Sequence, residues 1–283
     1  MSKRVTSPDT YLVPPPKPGP LVCETLVAED HTGAKQEVFI VNEKPLTVYL
    51  NTREVVTAMT IGDHPEWLAR GFLANQAMLE PDNPVTDVDY DAELGVVVVR
   101  TQKPTDFEAK MTKRIRTSGC AQGTVFADVM DHFDSRSLAE NETSVTTAEL
   151  ASLTEAINTT PSLYLQAGAI HGTVLCTNTT PLVFMEDVGR HNAVDKVAGW
   201  MHETGTSADD KLLYTTGRLT SEMVIKTVMM GIPILVSRSG FTASGVELAR
   251  RAGLTLIGRA RGERYLVMAH GHRLVRNSQP KGE

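Results

Sequence analysis

From residue 147 onward the chain alternates helical stretches with β-prone runs, and this rhythm constrains the fold more than any other feature. Helical periodicity covers 148–158, and apolar, β-branched runs predict strands at 171–176 and 182–185. A helix is expected at 192–203, a strand at 212–215, a helix at 220–230, a strand at 232–236 and a helix at 243–252. Strands at 254–257 and 265–268 close the series. Strands separated by such helices pack as a sheet covered by helices. The expected class is therefore α/β, with a three-layer domain over 148–275 and a short tail at 276–283. No internal repeat is visible.

The N-terminal part has a different character. Residues 1–36 read as an extended arm, because Pro14, Pro15, Pro16, Pro18 and Pro20 cannot propagate a helix. The arm is either a disordered leader or a segment that binds a partner. Runs at 38–41 and 46–50 flank the turn-like Asn42-Glu43-Lys44-Pro45 and predict a hairpin. A helix is expected at 65–79, with Asp63 or His64 as its cap and Pro65 in its first turn. A second hairpin should pair 87–90 with 96–100. Together these make a smaller α+β domain over 37–103. The polar stretch 104–147 reads as a linker holding a basic helix with Lys110, Lys113, Arg114 and Arg116, followed by a loop around Cys120.

Composition narrows the function. With 283 residues, 41% of them hydrophobic, the chain can bury a full core. Its net charge of −6 argues against a generally basic nucleic-acid binder. Three widely spaced cysteines, at 23, 120 and 176, speak against a disulfide scaffold or a Cys-rich metal site, and no metal ligands are assigned. No apolar run reaches the ~18–20 residues of a membrane span, and residues 1–20 lack the apolar core of a secretory signal. A soluble cytoplasmic protein without membrane or nucleic-acid partners is expected.

Several residues have the character of chemistry. Cys120 lies between Gly119 and Gly123, just after Lys113, Arg114 and Arg116; nearby cations favour the thiolate, although an inert loop cysteine fits too. Cys176 ends an apolar strand and reads as core, while Cys23 has no assigned role. Glu186-Asp187-Val188-Gly189-Arg190-His191 sits where a strand gives way to a helix, the position of the ligand crevice in open α/β sheets; a capped helix start is the plainer reading. His171, in Gly168-Ala169-Ile170-His171-Gly172, is a further candidate. Glu222 and Lys226 are spaced for an ion pair on one helix. The hydroxyls of Ser237, Ser239 and Thr242, at a strand–helix turn, suit an anion or simply an ordinary turn. Arg259, Ala260, Arg261, Gly262, Glu263 and Arg264 place three guanidinium forks in six residues, a match to phosphate oxygens or else a solvated hairpin turn. A Gly-x-Gly-x-x-Gly turn is absent, and the His-x-Glu with Cys-x-x-Cys of a zinc deaminase is missing.

The run Glu186-Asp187-Val188-Gly189-Arg190-His191-Asn192-Ala193-Val194-Asp195-Lys196, with Ser221-Glu222-Met223-Val224, Lys226 and the end 255–264, resembles the formate dehydrogenase accessory sulfurtransferase family, FdhD. The resemblance covers about 37–270, with 168–172 and the Gly119-Cys120 loop in the right order. It implies a cytidine-deaminase-like main domain, a homodimer, and a sulfurtransferase that works as a persulfide carrier. A cysteine desulfurase would load sulfur onto Cys120. The carrier would pass it to the molybdenum of a bis(molybdopterin guanine dinucleotide) cofactor before that cofactor enters formate dehydrogenase. The cofactor is then a bound substrate, which a guanine nucleotide can mimic. Arg259–Arg264 would lie on it, with hydroxyls of 237–244 on its phosphates and His171, His191 and Asp187 nearby, the last two as proton-handling groups. Some members carry Cys-x-x-Cys in the loop. Here Gly123 takes the second position, so a resolving thiol is missing while the single sulfur anchor remains. The rivals are a cofactor-binding chaperone without sulfur chemistry and a nucleotide hydrolase of deaminase-like fold.

Overall fold

The structure, a computed structural model, describes residues 11–105 and 123–276. An antiparallel ribbon of β1 (Cys23–Glu29) and β2 (Lys35–Val41) comes first. A four-stranded sheet follows, built from β3 (Lys44–Leu50), β4 (Arg53–Thr60), β5 (Val85–Asp91) and β6 (Val96–Thr101) in the order β4-β3-β6-β5. Helix α1 (Pro65–Asn75) covers it, and Leu68, Ala69 and Leu73 bury against Leu46, Val48, Leu50, Val97 and Val99. The helix stops at Asn75, short of the expected residue 79, because Ala77 turns left-handed at φ 54° and lets Met78 N–H reach back to Leu73 O.

The β5–β6 hairpin forms as expected, but the one expected across 42–45 does not. Instead β2 pairs back with β1, and β3 pairs forward with β4. Turn stereochemistry explains the difference. Asn51 takes φ 54° between β3 and β4, and Gly33 takes φ 85° between β1 and β2, whereas neither Asn42 nor Glu43 adopts positive φ. The extended arm is accordingly shorter than 1–36, since β1 lies inside that span and β2 straddles its end. Tyr11–Val13 is docked on the main sheet: Phe184 N donates to Val13 O, and Tyr11 Oη lies 2.9 Å from Thr160 Oγ1.

The C-terminal part is the α/β layer structure that the rhythm predicts. Its helices are α2 (Gly123–Asp134), α3 (Thr147–Thr159), α4 (Leu163–Ala167), α5 (Arg190–Thr204), α6 (Ser221–Met229) and α7 (Ala243–Ala252). A small parallel ribbon joins β7 (Val145–Thr146) to the C-terminal β14 (Leu274–Val275). The main sheet comprises β8 (His171–Cys176), β9 (Pro181–Asp187), β10 (Leu212–Thr215), β11 (Ile234–Ser237), β12 (Thr255–Arg261) and β13 (Arg264–Ala269), in the order β13-β12-β11-β10-β8-β9. Successive strand residues face opposite sides. Leu175, Met185, Leu213, Leu235 and Leu256 pack with residues of α2, α5, α6 and α7. Val174, Cys176, Phe184, Leu212, Tyr214, Ile234 and Val236 pack with Leu150, Leu153 and Ile157 of α3 and with Tyr11. Cys176 is thus a core residue, fully buried.

The two parts interlock. Helix α1 packs on α5 so closely that a Cβ added to Gly71 would stand 1.8 Å from Asp195 O, and one on Gly199 would stand 1.9 Å from Trp67 O. Only glycine permits this approach. Side chains lock the contact, for Asn75 Nδ2 donates to Asp195 Oδ1 at 2.7 Å and Lys196 Nζ bonds Asp63. The boundary at 103 therefore separates two sheets and not two independent bodies. Residues 110–116 and Cys120 lie outside the described residues; the first helix described beyond them is α2, which starts three residues after Cys120.

Candidate functional site

One edge of the main sheet gathers most of the chemistry-bearing residues. Strands β10, β11 and β12 run parallel and end there. Strand β8 is antiparallel to β10, so its first residue, His171, lies at the same edge; β9 reverses again and brings Asp187 opposite His171. The loops that follow the strands are stitched together: Leu219 N donates to Gly240 O, Thr242 N to Leu219 O, and Arg259 N to Ser239 O.

At the end of β9 two carboxylates point inward. Glu186 is fully buried and accepts hydrogen bonds from Leu163 N at 2.8 Å and Tyr164 N at 2.7 Å, at the start of α4. Burial pushes its pKa up to about 7, against the pull of those two amides. Asp187 is equally buried; Lys196 Nζ lies 2.6 Å from it, Asn192 Nδ2 donates at 3.0 Å, Gly189 N at 3.2 Å, and Thr60 Oγ1 also donates to it. Burial works against the charge on Lys196, but Asp187 and Asp63 together hold its pKa above the ordinary lysine value. Asp187, expected near the cofactor, has both oxygens occupied inside the protein and no exposed surface. It positions the first turn of α5 from beneath.

Above this buried layer lies a cationic cluster. Arg190 and His191 open α5, and the Arg190 stem lies across Gly217, where an added Cβ would meet Arg190 Cβ at 2.9 Å and Cδ at 3.0 Å. His171 Nδ1 is 3.3 Å from Thr216 Oγ1. Its pKa is lowered by burial first and then by the charges of Arg190 and Arg218. His191 Nε2 stands 3.0 Å from Glu222 Oε2, yet the two are not aligned for a hydrogen bond. Arg190 Nε, His191 Nε2 and Thr220 Oγ1 are all buried without a hydrogen-bond partner among the described residues. Neither α5 nor α6 carries a side-chain cap at its N-terminus. The Glu222–Lys226 pair expected from spacing does not form. Lys226 turns inward to α5 and bonds both Asp195 oxygens, at 2.7 and 2.8 Å, because that buried carboxylate needs a counter-charge more than the half-exposed Glu222 does.

His191 supplies a pH test. Burial, with Lys226 and Arg190, takes its pKa down to about 3. The folded protein thus keeps His191 neutral where the unfolded chain, with an ordinary pKa near 6.5, takes up a proton. Its contribution to stability is fully present above pH ~6.5 and is lost as pH falls toward ~3. Urea melts at stepped pH should show His191→Gln destabilised less by acid than wild type in that window. Parallel curves for the two proteins would refute the assignment.

The remaining candidates lie further along the edge. Ser237 Oγ donates to Gly217 O at 2.6 Å and accepts from Ser239 N at 2.9 Å, while Thr242 Oγ1 accepts from Gly245 N at 3.1 Å and caps α7. Two of the three hydroxyls expected to face a ligand are therefore already engaged. Arg259, Arg261 and Arg264 are exposed, with Glu263 and Gly262 between the last two, and Ala260 is buried beneath them. Arg259 takes φ 55° and stacks its guanidinium 5.6 Å from the Phe241 ring centre. Gly262, at φ 58°, turns the tight hairpin from Arg261 to Arg264. Sequence reasoning passed over Gly217, Arg218 and Thr220. Their position after a short buried strand was a usable signal, because the same rule nominated the loops after β9 and β11.

The family model of the FdhD/NarQ family matches residues 41–275. The chain belongs to that family. A Listeria innocua relative named Sulfur carrier protein FdhD is 30% identical over 259 residues, which cover 90% of this chain and 99% of the relative. A Bacillus subtilis relative of the same name is 31% identical over 242 residues, covering 85% of this chain and 92% of its own. A crystal structure of a Desulfotalea psychrophila protein, assigned as a formate dehydrogenase accessory protein, superposes with a TM-score of 0.73 at 28% identity. It covers 90% of this chain and 99% of that one. In this FdhD/NarQ chain the segment that carries the resemblance, 186–196, is also the segment that builds the edge: Glu186 and Asp187 brace it from within, and Arg190 and His191 lie part-buried above them at the start of α5.

Proposed function

We propose that the chain is a sulfur carrier for the maturation of formate dehydrogenase, with Cys120 as the sulfur-bearing residue. The observation that carries this reading is membership of the FdhD/NarQ family over 41–275, in a chain whose sheet edge gathers arginines and partnerless polar atoms. The Cys120 thiolate attacks the outer sulfur of a persulfide on a cysteine desulfurase. That S–S bond breaks, the desulfurase thiolate leaves, and Cys120 holds the sulfur as its own persulfide. Lys113, Arg114 and Arg116 favour the thiolate.

The acceptor in this reading is the molybdenum of a bis(molybdopterin guanine dinucleotide) cofactor, bound as substrate on the sheet edge. The exposed Arg261 and Arg264 fit its pyrophosphates, since guanidinium forks match phosphate oxygens bidentately. Arg259 stacked on Phe241 adds a cationic, flat-faced platform beside them. A homodimer, a cytoplasmic setting and a cytidine-deaminase-like fold of the main domain belong to the same proposal. The antiparallel β8–β9 pair leading into parallel, helix-covered strands supports the last of these.

Binding of a guanine nucleotide tests the substrate site. GDP titrated calorimetrically into the full chain should bind, and the Arg261→Ala/Arg264→Ala variant should bind it at least about tenfold more weakly. Equal affinities would remove the hairpin from the site.

A further inference from the structure

The turn between β11 and α7 was the expected phosphate cradle, but its donors are spent internally: Ser239 N on Ser237, Gly245 N on Thr242, and the Ser237 hydroxyl on Gly217 O. The neighbouring turn, between β10 and α6, also engages its amides at Thr216, Gly217, Leu219 and Thr220, but side-chain groups around it are left unsatisfied. Thr220 makes no capping bond to the first-turn amides of α6, and its hydroxyl is buried and unpartnered. Arg190 arrives from α5 across Gly217 with its Nε buried and unpartnered. Arg218 is exposed one residue further on, and His171 closes the side through Thr216. A buried donor left without a partner is costly, so a cluster of them marks a place completed by something else.

We infer that the β10–α6 turn, with Arg190 laid across Gly217 and Arg218 beside it, is a phosphoryl-binding pocket. The pocket goes beyond the hairpin site and rests on the carrier reading only for the identity of its natural ligand. Two arginines outweigh the single carboxylate of Glu222, and Lys226 is neutralised by Asp195. Two uncapped helix N-termini add partial positive charge in the same place. A phosphate ester or pyrophosphate, negatively charged and rich in acceptor oxygens, matches the chemistry of these groups. Gly217 is required because any side chain there would push Arg190 out of the pocket. With the exposed arginine hairpin on the same edge, the chain then grips a ligand with two phosphate-bearing ends at two separate points.

Glu222 makes the proposal discriminating. A carboxylate beside a bound anion repels it, whereas a carboxylate beside a nucleobase accepts from its N–H groups. Calorimetry on the full chain should use three probes: GDP, inorganic pyrophosphate and guanosine. Pyrophosphate should bind wild type and compete with GDP. Arg218→Ala and Arg190→Gln should each weaken both by about tenfold, as expected for losing one charge-assisted contact, and leave guanosine unchanged. Glu222→Gln should tighten both. Arg218 is exposed and has no partner among the described residues, so its variant should melt like wild type and separate binding from folding.

The inference is overturned if both arginine variants bind GDP and pyrophosphate within about twofold of wild type. It is equally overturned if Glu222→Gln weakens GDP without affecting pyrophosphate, which would place a base in the pocket. The Arg261→Ala/Arg264→Ala variant keeps the two readings apart. Loss of GDP there alone sinks the pocket and leaves the hairpin site standing; loss at Arg218 alone does the reverse.

Discussion

Cys120→Ala is expected to reduce activation of a co-produced formate dehydrogenase to background while the protein keeps its melting temperature. A persulfide needs one sulfur anchor. Of the other two thiols, Cys176 is fully buried in the core, its pKa pushed up by that burial, and Cys23 is buried with its sulfur bonded to Gly19. Neither meets the requirement of an accessible thiolate. Position 123 is Gly and the sequence holds no cysteine besides 23, 120 and 176, so no neighbouring thiol compensates. Cys120→Ser, close in size and without a sulfur, should behave like alanine. Retained activation in both variants would mean that the chain supports its client without carrying sulfur.

Lys196→Met is expected to destabilise the fold by about 3–5 kcal/mol, the usual consequence of stranding a buried charge. Lys196 is fully buried between Asp187 and Asp63, and its ammonium also donates to Glu186 O at 3.0 Å. Asp63 belongs to the N-terminal part and Asp187 to the main sheet, so one cation ties the two sheets together beneath the candidate site. Methionine keeps the stem volume and leaves two carboxylates facing each other. Adding Asp187→Asn and Asp63→Asn should recover much of the loss, because removing all the charges is far cheaper than removing one partner. Urea denaturation of the single and triple variants measures both steps. A loss below about 1 kcal/mol for Lys196→Met would mean that water or rearrangement serves the carboxylates instead.

The legibility of the sequence varied with the range of the interaction that decides each feature. Strands β8 and β10 and helix α7 fall within the expected bounds, because each is an apolar or amphipathic run closed by polar or glycine-rich turns. Strand pairing near the N-terminus was misread. The partner of β3 is chosen by Asn51 adopting positive φ, a local preference that the apolar pattern does not display. The Lys226 partner was misread for the complementary reason: spacing along α6 sees Glu222, but Asp195 reaches Lys226 only through packing of α5 on α6. Glu186 and Asp187 were legible as unusual and not as inward-facing, since β9 is covered on both sides and its alternation is hidden. The edge itself was legible, because the rule about carboxyl ends of parallel strands depends only on element order. Which side chains along it lack partners was not, because that depends on packing and hydrogen bonds between loops far apart in sequence.

The most direct test of sulfur carriage is the mass of the intact protein after incubation with a cysteine desulfurase and free cysteine. Sulfur carriage on Cys120 predicts a reductant-labile gain of one sulfur atom, located by peptide mapping to Cys120 and absent from Cys120→Ala. No gain of mass, or a gain that persists in Cys120→Ala, would contradict it.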